Sequence, residues 1–449
     1  MLDRINGFVW GMPALLLILG VGAYLSFISR FAQITLFPKA VKRFADRLCG
    51  NRDSGYRALC TALGATVGTG NIAGVAGAIA IGGPGAIFWM WVSAFFGMVT
   101  KYAEAVLAVR YRSRNLEGEV VGGPMYYIQE GLGQRWKFLS CIYCFFGVVA
   151  AFGVGNATQI NAVLDSVAGV AEVYGGRLSQ GARILLGGVL AILVAIMLFG
   201  GAKRIGHVAE ALVPFTAILY ILLGLGVLIL RLDAVPGAFV SILQGAFSPA
   251  AVTGGVVGFG LQALRIGTSR GVFTNEAGMG TAAIAHGAAE VSHPAEQGLM
   301  GIMEVFLDTI VICTVTALII LCSGVDIPYG IDEGAALTGR ALSGVYGGWV
   351  SVILAVSLCL FAIATILGWG LYGIRCAQYL FGDRAWRPFV YMQAITVIIS
   401  ATLNTGIVWM LAETVNGLMA IPNLIALFCL APEVQRLTRE YKRGACAPL

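Results

Sequence analysis

Charge is scarce in this chain. Asp, Glu, Lys and Arg make up 12% of its 449 residues, about half the roughly 25% usual for a soluble domain. That excludes an ordinary cytosolic enzyme, a disordered segment and a nucleic-acid binder, each of which needs charge to stay solvated or to meet phosphate. Histidine is scarcer still. The three, at positions 207, 286 and 293, make no metal-ligand spacing. Ten cysteines are scattered, mostly inside apolar runs. Cys141 and Cys144 form a CxxC, but on an apolar stretch with no second pair, so they read as packing residues rather than a redox or metal site. No clustered nucleophile or metal set is visible, which leaves an embedded enzyme remote, and no cofactor is expected.

Apolar residues fill the space that charge leaves, at 58% of the chain, and glycine is abundant with 61 residues. High glycine with high apolarity and no collagen-like period suits packed transmembrane helices. The start MLDRING is short and mixed in charge, and the apolar run after it is long enough to span, so no cleavable signal is expected. A helix crosses the hydrocarbon layer in about 20 residues. Runs of that order recur at 9–29, 58–100 (two spans around the turn Gly82-Gly-Pro-Gly85), 138–164, 184–202, 211–230, 234–264, 298–325, 341–374, 388–403 and 407–430. They predict an all-α polytopic membrane protein of eleven transmembrane helices, with 236–247 as a short surface helix before the seventh.

Charge placement orients those spans, because cytoplasmic loops carry excess Lys and Arg. Every alternate loop is basic. Examples are Lys39, Lys42, Arg43 and Arg47 after the first span, Arg110, Arg112 and Arg114 after the third, and Arg436, Arg439, Lys442 and Arg443 at the end. The pattern predicts an outside N-terminus and a cytoplasmic C-terminus. It divides the chain into an extra N-terminal helix (1–30), two five-helix units of opposite orientation (57–231 and 232–432) and a cytoplasmic tail (433–449).

Glycine clusters and polar residues inside spans are costly unless they line a cavity. The second span carries Gly64-Ala-Thr-Val-Gly68-Thr69-Gly70-Asn71 near mid-depth. Unwinding there frees N–H groups that can hold a carboxylate and carbonyls that can bind a small cation. The same glycines also fit a close-packing face, since Gly64 and Gly68, and Gly70 and Gly74, are spaced as small-xxx-small pairs. A second candidate break is Gly254-Gly255-Val-Val-Gly258-Phe259-Gly260, with Phe259 placed to cover a ligand. Both breaks fall in the first helix of their unit, which is the sequence pointer to a secondary transporter.

Among other intramembrane polar groups, Gln159 suits either a central cavity or an interhelical hydrogen bond. Thr365 and Trp369 share a helix face; the hydroxyl can join a sodium shell or bond its own backbone, and the indole can wall a pocket. Asp308 is an ion ligand, a proton carrier or a structural partner. Lys101 and Glu104 read as a snorkelling pair. Residues 274–286 read as a compact cytoplasmic loop over the inner mouth.

Gly82-Gly-Pro-Gly-Ala-Ile-Phe-Trp-Met-Trp-Val-Ser-Ala-Phe-Phe-Gly97 resembles the signature of the alanine or glycine:cation symporter family. VGTGNIAGVA at 67–76, FTNEAGMG at 273–280 and LGWG at 367–370 resemble that family too. The resemblance implies a sodium-coupled importer of alanine or glycine in a bacterial-type inner membrane. It implies the amino acid/polyamine/organocation architecture, a 5+5 inverted repeat with two interrupted helices. It also implies that Thr69, Gly70 and Asn71 hold the substrate carboxylate, that Gln159, Phe259, Gly260 and Trp369 complete the substrate site, and that Gly64, Val67 and Thr365 hold sodium, with Asp308 a further metal candidate. The expected partners are the amino acid, sodium and membrane lipid, with no nucleic acid, and the chain is expected to be a monomer. The rivals are proton coupling through Asp308 and, more remotely, a channel or sensor on the same fold.

Overall fold

The computed structural model describes residues 7, 9–50, 53–116, 118–247, 259–402 and 405–444, excluding the side chains of 49, 259–261 and 405–409. The expected second break at 254–258 lies outside the described residues. Helices account for most of the described residues. The first helices are α1 (Met12–Ile28), α2 (Phe37–Cys49), α3 (Ser54–Thr66), α4 (Val75–Gly82), α5 (Gly85–Arg110), α6 (Lys137–Phe152) and α7 (Thr158–Val173). Then come α8 (Gln180–Leu198), α9 (Gly201–Leu230), α10 (Val235–Phe247), α11 (Phe259–Asn275), α12 (Thr281–His286) and α13 (Pro294–Val305). The chain closes with α14 (Thr314–Cys322), α15 (Ala335–Tyr346), α16 (Val350–Phe381), α17 (Trp386–Ser400) and α18 (Thr405–Lys442).

Among the described residues, seven helical stretches are long and apolar enough to cross a membrane, and eight if the bent pair Ser54–Thr66 and Gly70–Gly82 is one span. The spans read at 9–29 and 388–403 coincide with the shorter helices α1 and α17, of 17 and 15 residues, and the span read at 234–264 lies partly outside the described residues. The helix at 236–247 is present as α10.

Local sequence sets the ends. Asp53 caps α3 by accepting from the Tyr56 N–H at 2.9 Å, which satisfies one of the free N–H groups of the first turn. Pro294 opens α13, where its missing N–H is harmless, and His293 accepts from Ala295 N. Among the described residues four wide π-helical turns occur, at Gly70–Gly74, Tyr127–Gly131, Gly153–Ala157 and Phe306–Cys313. Such turns redirect side chains and often mark functional sites.

The core is built around α5, which packs on α11 and α13. Small residues allow that approach: a Cβ on Gly267 would lie 2.1 Å from the Ala86 carbonyl oxygen. The periphery is different. Leu185, Ile192 and Ile196 on α8 and Phe215, Leu222 and Ile229 on α9 are exposed, as helices facing lipid would have them.

Candidate functional site

The first interruption sits where glycine density predicts it. Val67 takes extended backbone (φ −75°, ψ 99°) and ends α3. The axis turns by 52° before the chain resumes as the π-helical turn and α4. Gly64 also packs closely, since a Cβ there would lie 3.2 Å from Val213 and 3.5 Å from Ala364, so unwinding and close packing coexist in this span.

The second interruption lies at 276–280, between α11 and α12. Glu276, Gly278 and Gly280 all have positive φ, at 54°, 93° and 76°. For Glu276 this left-handed backbone costs about 1–3 kcal/mol, which its buried partners offset. The Trp369 indole N–H donates to Glu276 Oε1 at 2.9 Å, and the Thr281 hydroxyl to Oε2 at 2.5 Å. Residues 274–286 are buried throughout. This corrects the reading of that segment as a loop over the inner mouth: its polar residues have intramolecular partners, and Thr274 and Glu276 line a cavity together with the first interruption.

Glu104 holds the second interruption in place. Its Oε1 accepts from the N–H of Gly278 (2.9 Å), the N–H of Gly280 (3.0 Å) and Asn423 Nδ2 (2.7 Å). Tyr127 in turn donates to Asn423 Oδ1. Lys101 lies 3.3 Å from Glu304, whose other oxygen is 2.8 Å from His286 Nε2. Lys101 and Glu104 are both fully buried, so they are not a snorkelling pair. Each finds its own internal partners rather than the membrane surface.

Between the two interruptions lies a cavity of about 20 Å³, room for one water. The first interruption contributes Gly68, Thr69 and Gly70, and the end of α3 Ala65 and Thr66. Phe273, Thr274 and Glu276 come from the second interruption and the end of α11, Val154 and Gln159 from the α6–α7 run, and Thr365 and Trp369 from α16. An open depression of about 450 Å³ beside Arg204, His207 and Phe215 on α9 touches none of these residues.

Thr69, Gly70, Gln159, Thr365 and Trp369, read from the sequence, thus meet at one cavity. Thr69 donates to Gln159 Oε1 at 3.1 Å, and Thr365 donates to the Gly64 carbonyl at 3.0 Å. Val67 is buried one residue from the cavity wall. Asn71 turns away from it: Oδ1 accepts from the Gly68 N–H at 2.8 Å, and Nδ2 donates to Asp308 Oδ1 at 2.7 Å. Asp308 also stands off the cavity, its second oxygen accepting from Thr309 at 2.7 Å. Phe259 and Gly260 open α11, and their side-chain surroundings lie outside the described residues. Phe273, Thr274 and Glu276 are the residues that sequence reading missed. The signal was the crowding of Asn, Glu and three glycine or alanine residues between apolar helical runs.

The profile of the sodium:alanine symporter family matches residues 1–447. The sodium/alanine symporter AgcS of Methanococcus maripaludis is 42% identical, over 98% of this chain and 96% of its own length. The amino-acid carrier protein AlsT of Bacillus subtilis is 37% identical, over 98% of this chain and 91% of its own. Among solved structures, MhsT in complex with L-phenylalanine matches with a TM-score of 0.59 over 85% of this chain and 97% of that one; at 16% identity this is a likeness of fold. The apolar helices, the paired interruptions and these relationships together make the chain an integral membrane protein that belongs to the sodium:alanine symporter family.

Proposed function

We propose that the protein imports a small neutral amino acid, alanine or glycine, together with sodium, by alternating access. The observation that carries this reading is the cavity between two interrupted helices. Free N–H groups around Thr69 and Gly70 suit a carboxylate. The Gly64 carbonyl and the Thr365 hydroxyl, 3.0 Å apart, are oxygen donors of the kind a small hard cation takes, and Val67 supplies a further carbonyl one turn on. Trp369 and Phe273 limit the space for a side chain. Sodium and a zwitterion side by side neutralise much of each other's charge, which lowers the cost of holding both away from water. The membrane potential adds about 2.3 kcal/mol per charge per 100 mV to the driving force.

In this reading the chain has eleven spans, an N-terminal helix followed by a 5+5 inverted repeat, with the N-terminus outside and the C-terminus in the cytoplasm of a bacterial-type inner membrane. It works as a monomer. The shorter helices α1 and α17 are two of the spans beyond the seven or eight long ones, the seventh span at 234–264 lies partly outside the described residues, and the alternating basic loops support the orientation.

Radiolabelled alanine uptake into proteoliposomes, with sodium and potential imposed separately, tests the proposal. Accumulation driven by a sodium gradient at constant pH is expected. Uptake that persists without sodium and follows a proton gradient would instead support proton coupling. Flux without accumulation would support a channel.

A further inference from the structure

Asp308 lies off the cavity, yet it sits in the middle of a continuous hydrogen-bonded path between the two interruptions. The path starts at the Gly68 N–H, which donates to Asn71 Oδ1 at 2.8 Å. Asn71 Nδ2 donates to Asp308 Oδ1 at 2.7 Å and to the Asp308 carbonyl at 3.1 Å. On the other side, the Thr309 hydroxyl donates to Asp308 Oδ2 at 2.7 Å, and Asn275 Nδ2 donates to that hydroxyl at 3.1 Å. Asn275 Oδ1 accepts from the Ala277 N–H at 3.0 Å, where the path ends. Asn71, Asp308, Thr309 and Asn275 are all at most 1% exposed.

The polarity of this path is consistent along its length. Each asparagine turns its carbonyl oxygen to a main-chain N–H in an interruption and its amide nitrogen toward Asp308. The carboxylate only accepts, and it accepts from both directions. Removing a middle link therefore strands buried donors on either side, and hydrogen bonds in such a chain polarise one another. The π-helical turn Phe306–Cys313 carries both Asp308 and Thr309, so a third helical run supplies the join between two breaks far apart in sequence.

We propose that Asp308 is a positioning residue that, through Asn71 on one side and Thr309 with Asn275 on the other, locks the two interruptions to each other. They then open and close together. This rests on the proposed function only in taking both interruptions as walls of the transport site.

Hydrogen–deuterium exchange of the full chain in lipid nanodiscs tests it without any ligand. The Thr309 hydroxyl bonds Asn275, at the edge of the second interruption, and meets the first interruption through Asp308. With Thr309→Val, amides in 67–71 and in 275–280 are both expected to exchange at least about tenfold faster than in wild type, while Thr309→Ser, which keeps the hydroxyl, stays within about twofold. Asn71→Ala reads the path from its other end and should accelerate 275–280. In wild type, the Gly68 and Ala277 amides should show matching protection. Acceleration confined to the segment nearest the substitution would overturn the proposal. So would unmatched protection in wild type, or a Thr309→Ser variant no better than Thr309→Val. Because no sodium or alanine is present, loss of sodium-driven uptake bears on the transport reading alone.

Discussion

Thr365 donates its hydroxyl to the Gly64 carbonyl at 3.0 Å, and the bond joins the unbroken helix α16 to the last turn before the first interruption. A hydroxyl oxygen keeps lone pairs when it donates, so the same pair can turn toward a cation without unfolding either helix.

Thr365→Ala should raise the sodium concentration for half-maximal alanine uptake by about tenfold, corresponding to roughly 1.4 kcal/mol for one ligand to a charged group. The alanine half-saturation at saturating sodium should move by less than about twofold. An unchanged sodium dependence, measured as initial rate against sodium, would place the cation elsewhere.

Two glycines in the first interruption should behave differently. A Cβ on Gly68 would come within 2.6 Å of Thr365 Oγ1, whereas one on Gly70 would meet Thr274 Oγ1 at an ordinary 3.5 Å. Gly68→Ala is expected to abolish uptake while leaving the protein inserted and monodisperse. Gly70→Ala should retain measurable transport, and Gly70→Val should lose it as the larger side chain reaches Thr274. Equal uptake by Gly68→Ala and Gly70→Ala would contradict this account.

Trp369 both walls the cavity and donates to Glu276. Trp369→Ala should admit larger side chains, so that leucine competes with alanine for uptake where it does not in wild type. Thermal stability should also drop by about 3–5 kcal/mol, the usual cost of emptying a buried aromatic site. Competition by leucine no different from wild type would remove Trp369 from the pocket wall.

Glu104 is the acceptor for three buried donors at the second interruption. Glu104→Ala should destabilise the protein by several kcal/mol, since each stranded donor costs about 1–3 kcal/mol. Glu104→Gln keeps a carbonyl oxygen and should recover most of the loss. A thermal melt in detergent compares them. Equal melting temperatures for the two variants would mean that the carboxylate does not hold 278–280.

The first interruption was legible because Gly68 and Gly70 lower helix propensity in a span otherwise rich in apolar residues. Thr365 and Trp369 were legible from helix periodicity, which puts residues four apart on one face. The interruption at 276–280 was harder to read, and the break expected at 254–258 lies outside the described residues. The run at 254–260 has the glycine density of an unwound span, whereas 274–280 holds Asn and Glu, which in isolation look like solvent-exposed loop. What makes 274–280 an interior segment is its partners: Trp369 for Glu276 and Glu104 for the N–H groups of Gly278 and Gly280. Those partners are distant in sequence, and no local pattern pairs them. Asn71 illustrates the same limit. The family resemblance implies a carboxylate ligand there, and the arrival of Asp308 from another helix turns its amide away.

A cryo-EM map of the protein with saturating alanine and sodium tests the central claim most directly. Density for a zwitterion is expected between Gly68–Gly70 and Thr274–Glu276, with a cation beside the Gly64 carbonyl and Thr365, and with the cavity walls moved apart to admit them. Alanine bound at another place, with both interruptions still closed on each other, would contradict it.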